Sequence, residues 1–254
     1  MNQPIPWLDQ IKHTLAEVGL PHVDLLLDQT GWEHSALAAL RQLAPAVPWH
    51  SLFTGTPEEH LLHQAPILMR LDLGHWRHEA WLEELIDACA LQSRLLLLVS
   101  PLSFDALSLR LQALLQVHWG GQPGLLRFYD PRIFPELLAG IFNPEQCKPF
   151  QQAASYWSWL DRDGHPRWLA GDFATDPEHQ STPDDLVLTD AQYDRIGSLS
   201  DAHALLEGTR FDGLGKSREQ RFAALYRLSC NASDANYFGT LSDYVIQQLD
   251  AEKG

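Results

Sequence analysis

The sequence has few cysteines, few basic residues and no long apolar run. Cys89, Cys147 and Cys230 are the only cysteines among 254 residues. They are widely separated and odd in number. That excludes a disulfide framework and any recognised metal-ligand spacing, and it points to a reducing compartment. The run Leu95–Val99 falls far short of the roughly 20 apolar residues that span a bilayer. Basic residues number 18 against 33 acidic ones, for a net charge of −15. Such a field repels nucleic acid and anionic membranes and favours neutral or cationic partners. The opening MNQPIPWLDQ lacks the basic-then-apolar layout of a signal peptide. The expectation is a cytoplasmic protein without a membrane span.

Catalytic signatures are also missing. No G-x-S-x-G is present, and GGQPG at 120–124 and GLG at 213–215 are not phosphate loops. GGQPG precedes its strand, the wrong side for a phosphate cradle, so no nucleotide cofactor is expected. His60 and His63, like His75 and His78, are three residues apart. That spacing can ligate a metal, but no cysteine or carboxylate completes a signature, so surface or helix-end histidines are the preferred reading. Cys89 falls on an apolar helix face, and Cys147 sits in a proline-flanked loop. Ser100-Pro101 follows the apolar run, where α/β enzymes place catalytic groups, but proline there suits a helix entry.

What is present is a generous aromatic supply, with nine tryptophans and ten phenylalanines in a chain that is 45% hydrophobic. Strands are expected at 22–28, 67–73, 94–100 and over LLRFY at 125–129. Helices are expected at 33–43, from Thr56 through Gln64, and at 76–92, 103–117 and 132–140. Trp81, Leu82, Leu85, Ile86 and Cys89 give the 76–92 helix its apolar stripe. SYWSWLD and PRWLAGDF flank a hairpin turn centred on Asp163-Gly164. Trp157 and Trp159 alternate on that hairpin and read as core. Residues 172–185 are polar and proline-punctuated, like a linker. Thr189 caps a helix over 190–208, and further helices follow at 217–230 and 234–251. The expected fold is α/β (α+β). An N-terminal lobe at 1–175, with a mixed sheet flanked by helices, precedes a smaller all-helical C-terminal lobe at 186–254.

The stretch LLRFYDPR at 125–132 is too polar for a buried strand and too apolar for a loop. As a strand it would alternate Leu125, Arg127 and Tyr129 against Leu126, Phe128 and Asp130. Arg127 would then be partly buried and in need of a carboxylate. Asp130 at the N-cap and Pro131 at the first helical position would open the next helix. The C-terminal helices add Tyr193, Phe211, Phe222, Tyr226, Tyr237, Phe238 and Tyr244. Most suit a small helical core; a few could line a groove for a partner segment.

LLRFYDPRIFPELL closely resembles the hallmark of the type VI secretion effector adaptors, also called Tap or TEC chaperones. WHSLFTGTPEEHLLHQAPILMRL, LSLRLQALLQV and YWSWLDRDGHPRWL resemble other segments of that family in matching order. The resemblance covers roughly residues 20–170 and singles out Arg127, Phe128, Tyr129, Asp130, Pro131 and Arg132 as its structural motif. It implies a non-catalytic adaptor that binds a cognate secreted effector, through a hydrophobic or N-terminal segment, and helps load it onto the VgrG spike. No cofactor or metal is implied. Phe222, Tyr226, Tyr237, Phe238 and Tyr244 are the candidate partner contacts. The alternative is a doubly wound α/β hydrolase-like enzyme acting on a small molecule, using Ser100 or an Asp near a strand end.

Overall fold

Leucine and isoleucine runs set the frame of this computed structural model, which describes residues 6–32, 36–89, 92–173 and 185–251. Strands β1 (His22–Asp28), β3 (Pro66–Asp72) and β4 (Leu95–Val99) form the centre of a sheet. Leu25, Leu26 and Leu27 are fully buried, as are Ile67, Leu68 and Met69. Successive strand residues point to opposite faces, so a run without an exposed member is covered on both sides. Short β2 (Trp49–Ser51) flanks β3, while β7 (Tyr156–Leu160) and β8 (Pro166–Ala170) follow β4, giving the order β2-β3-β1-β4-β7-β8. All these pairings are antiparallel. The parallel crossover ladder of a doubly wound sheet is therefore not formed.

The mixed pairing lies in a second, three-stranded sheet. Here β5 (Gln116–Trp119) pairs antiparallel with β6 (Gln122–Leu125) and parallel with β9 (Leu186–Leu188). Gly120 and Gly121 both take positive φ and make the two-residue turn between β5 and β6. The strand β9 joins a segment from beyond residue 185 to the N-terminal part of the chain. Most of the 172–185 linker, residues 174–184, lies outside the described residues.

Helices cover the large sheet. The unexpected α1 (Trp7–Val18) buries Trp7, Ile11 and Leu15, one residue per turn, and ends at left-handed Gly19. Trp7 Nε1 donates to Ser158 Oγ on β7 at 2.8 Å. Helix α2 (Ala36–Leu40) ends three residues before the expected residue 43, and the expected start at 33–35 lies outside the described residues. Helix α3 (Trp76–Cys89) buries Trp81, Leu82, Leu85 and Cys89, and α4 (Phe104–Leu115) starts at Ser103, whose hydroxyl accepts from Ala106 N. The expected helix from Thr56 to Gln64 is one 3-10 turn, Glu59–Leu61. Glu59, Leu61 and Gln64 all donate to carbonyls three residues back, and the Thr56 hydroxyl turns back to Phe53 O.

The expected strand over LLRFY is also displaced. Pairing ends at Leu125, and Asp130 N donates to Arg127 O, closing a turn over 127–130. A regular helix does not begin at 132: Ile133 N and Phe134 N both meet Asp130 O. Helix α5 (Phe134–Glu136) runs into a π turn, Leu137–Ile141, and α6 (Pro144–Gln151) follows behind a capping box from Asn143.

The C-terminal region is helical after β9. Thr189 and Gln192 form a capping box at α7 (Asp190–Leu206). Helix α8 (Arg218–Asp234) runs four residues past its expected end, to the left-handed residue Asn236. Helix α9 (Leu241–Ala251) starts later than the expected residue 234, where the Thr240 hydroxyl accepts from Asp243 N.

Candidate functional site

The RFYDPR segment folds into a charged joint with an aromatic underside. Phe128, Tyr129 and Asp130 are all buried, while Arg127 points outward. The turn places three consecutive side chains inward, where a strand would have alternated them. Phe128 meets Phe150 edge-on at 5.4 Å between ring centroids. The Tyr129 hydroxyl is pushed up to about 12, chiefly by burial, with neighbouring Arg127 opposing. Asp130 is clamped: Arg132 N and Nε donate to its Oδ1 at 2.9 Å, and Arg132 Nη2 to its Oδ2 at 2.7 Å. Arg127 Nη2 donates to Asp28 Oδ2 at the end of β1, at 2.8 Å, and lies 3.7 Å from Asp130 Oδ2. The side chains of both arginines are about 40% exposed, while those of Asp28 and Asp130 are 6% and 2% exposed. The carboxylates are therefore the buried members of this network and the guanidiniums its wet rim. Pro131 is buried at the corner.

A residue that the sequence did not single out ties this joint to the C-terminal helices. Arg162 follows β7, and its side chain is 6% exposed. Its Nη2 donates to Arg132 O at 2.9 Å and its Nη1 to Glu219 Oε1 on α8 at 2.9 Å. The guanidinium lies 3.3 Å from the Phe222 ring centroid. His203 on α7 packs against the same ring, with centroids 4.5 Å apart. Burial, then the charges of Arg162 and Arg132, hold the His203 ring down at about 4. The tail of the WLDRDGH hairpin motif could have drawn attention to Arg162, but its partners lie 30 to 57 residues away.

Other sequence candidates take structural roles. The Ser100 hydroxyl is fully buried, donates to Ala153 O at 2.7 Å and accepts from Leu102 N. Burial raises the Cys89 thiol to about 11 and also pushes the Cys147 thiol up, which disfavours the thiolate at both. His78 is buried, with Nδ1 facing Asp72 N and Nε2 facing Pro45 O. His60 bonds Pro57 O, and His63 faces Gln64. Trp157 and Trp159 are core, as expected.

Among the described residues, Asp161, Asp163 and His165 bring potential ligand atoms within 4.8 Å of one another. The carboxylates already hold the hairpin turn. Asp161 Oδ1 accepts from Asp163 N and His165 N, and its Oδ2 accepts from Arg167 Nε. Asp163 accepts from Arg218 N and Glu219 N at the start of α8.

The C-terminal aromatic candidates separate into core and surface. Phe222 is 1% exposed beneath Arg162 and is core, so it offers no surface to a partner. Half-buried Tyr226 stacks on Phe222, with centroids 5.9 Å apart. Burial, then Cys230, push its hydroxyl up. Tyr237 and Tyr244 meet edge-on at 5.1 Å and remain half-buried, while Phe238 between α8 and α9 is fully exposed. Two grooves flank α7. One, about 400 Å³, lies over the small sheet between Leu126, Arg127, Ile133 and α7 residues Tyr193 and Ile196. The other, about 500 Å³, lies between α7, α8 and the Tyr237–Leu241 turn. Tyr193 lines both and stacks on Trp119, with centroids 3.7 Å apart. Tyr193 in both grooves, and Phe238 between the second groove's Tyr237 and Gly239, are large exposed apolar side chains; exposed Val187 lies on the opposite face of the small sheet from the first groove.

No helix among the described residues is long and apolar enough to cross a membrane. No curated protein and no solved structure matches the chain. Residues 25–148, from β1 into α6 and including the whole RFYDPR joint, match the family described as Domain of unknown function (DUF4123).

Proposed function

We propose that this chain is a non-catalytic adaptor that binds a cognate type VI secretion effector and promotes its loading onto the VgrG spike. The observation that carries the reading is the aromatic face built around Tyr193. Two grooves meet at that ring, and exposed Phe238 lies between Tyr237 and Gly239 at the edge of one of them. Exposed aromatics beside concave surface are what a protein-binding face requires. The DUF4123 match adds support, because that domain is found in type VI effector adaptors. So does the resemblance of LLRFYDPR to their hallmark.

In this reading the antiparallel sheet and the charged joint are scaffold, and the α7–α9 face selects the effector. Phe238 is the anchor, next to Tyr237, which meets Tyr244 edge-on. The net charge of −15 favours a neutral or basic effector segment.

The test is co-expression with the effector encoded beside the gene, followed by affinity capture. Phe238→Ala and Tyr193→Ala should each weaken retention by about 2 kcal/mol, roughly thirtyfold in Kd. Unchanged affinity in both variants, with wild-type folding, would remove this face from the interface. No capture by the wild-type chain would sink the adaptor reading itself.

A further inference from the structure

A third cleft, at the Arg162 joint, is lined by Gln92, Ser93, Arg132, Arg162, His203 and Arg218. Its volume is about 250 Å³. Hydrogen-bond donors dominate its walls, although the chain as a whole carries a net charge of −15. Glu207 is the one carboxylate in the lining, and Arg218 Nη2 already holds it at 2.8 Å. Two polar atoms here are buried without a partner, Arg162 Nε and His203 Nδ1. The Arg162 side chain is 94% buried, so that orphan donor cannot turn out to bulk water. His203 Nε2 faces Arg162 Nη2 at 3.5 Å. A guanidinium only donates, so Nε2 accepts and the proton sits on Nδ1, making that orphan a donor too. Gln92 Oε1 is taken by Arg94 Nε, which leaves the Gln92 amide NH2 available.

We propose that this cleft is a binding site for a small oxyanion, a phosphate or a carboxylate. Its oxygens accept from the free edge of Arg218, and a small shift of the Arg162 and His203 side chains brings the closed-off Arg162 Nε and His203 Nδ1–H into reach. Planar guanidiniums suit such ligands because they donate in pairs to oxyanions. Burial is the first cause of the depressed His203, and the positive charges of Arg162, Arg132 and Arg218 add to it against Asp130. Because Arg162 and His203 join the sheet to α7 and α8, an anion bound here would brace that joint. The site is independent of the aromatic face proposed for the effector.

The test is thermal unfolding of the full chain in chloride buffer at pH 7.5, titrated at constant ionic strength with inorganic phosphate and, separately, with succinate. Saturable stabilisation is expected, raising Tm by about 4 °C at ten times the Kd. Arg218→Gln should fold normally, because its side chain is 45% exposed, and should lose at least tenfold in apparent affinity. Arg77→Gln, an exposed arginine outside the cleft, should bind as wild type does. Stabilisation by both anions identifies a general oxyanion site that an acidic side chain of a partner could fill. Stabilisation by phosphate alone identifies a phosphate source. The proposal is overturned if wild type shows no saturable shift, or if Arg218→Gln responds as wild type does.

Discussion

Asp130 makes three hydrogen bonds to Arg132, with a second guanidinium 3.7 Å away, in a side chain that is 2% exposed. Arg127, by contrast, keeps about 40% of its side chain in water. Removing a buried charge strands its partners, whereas removing a wet one lets solvent replace it. Asp130→Asn should therefore cost about 3 kcal/mol and Arg127→Gln about 1 kcal/mol. Urea unfolding of the two variants checks the ranking, and equal losses would refute the division into buried carboxylates and wet rim. His203 makes a separate pH prediction. Its ring titrates at about 4 in the folded chain, below the ordinary value of 6.5. Between these values the unfolded chain binds the extra proton, so stability is lost as pH falls from 6.5 through 4. The loss should be about 2 kcal/mol after allowance for residual exposure. His203→Gln should flatten that part of the curve in phosphate-free buffer. Identical slopes for wild type and variant would place the pH dependence elsewhere.

At the scale of elements, the hairpin between β7 and β8 caps a helix far away in sequence. Asp163 in its turn accepts from Arg218 N at 2.8 Å and Glu219 N at 3.3 Å. A carboxylate at a helix N-terminus satisfies otherwise orphaned amides and meets the positive end of the dipole. Asp163→Ala should cost about 1 kcal/mol and shorten the amide-exchange protection of α8 at its first turn. Loss of protection spread evenly along α8 would argue against a local cap. This hairpin was legible in the sequence because its signals are local: Asp-Gly at the turn, tryptophans alternating on the strand. The same holds for β1, β3 and β4, whose apolar runs have strand length, and for the cap residues Ser103 and Thr189. The turn at 127–130 was not legible, since RFYD alternates well enough to pass for a strand. What decides it is Asp28, 99 residues away from Arg127. The α1 helix was missed because its stripe is only Trp7, Ile11 and Leu15, and its partner Ser158 lies 151 residues on. Arg162 was missed for the same reason: nothing near it in sequence says that it will be buried.

The whole molecule is stitched across its midpoint. Strand β9 pairs with β5, Trp119 stacks on Tyr193 and donates to Asp190 at 2.9 Å, and Arg162 reaches from the hairpin to α8. The buried core runs on from the large sheet to Leu199, Leu225 and Val245 without a break in the contacting cluster. Cutting the chain near 185 would unpair β9, uncover the Leu137–Ile141 turn that packs on α7, and leave Arg162 without Glu219. These links predict that the α/β part and the C-terminal helices unfold together. The sequence supplies separate probes for the two. All nine tryptophans lie at or before Trp168, so indole fluorescence reports mainly the α/β part, with Trp119 at its contact with α7. Far-UV circular dichroism is weighted towards helix, much of which lies in α7, α8 and α9. In urea the two signals should give the same midpoint and the same slope, the mark of a single cooperative transition. Arg162→Met should lower both midpoints together by removing a charge that both parts hold. If the helical signal is lost at a lower urea concentration while fluorescence is unchanged, the two parts fold independently and the joint at Arg162 is not what couples them.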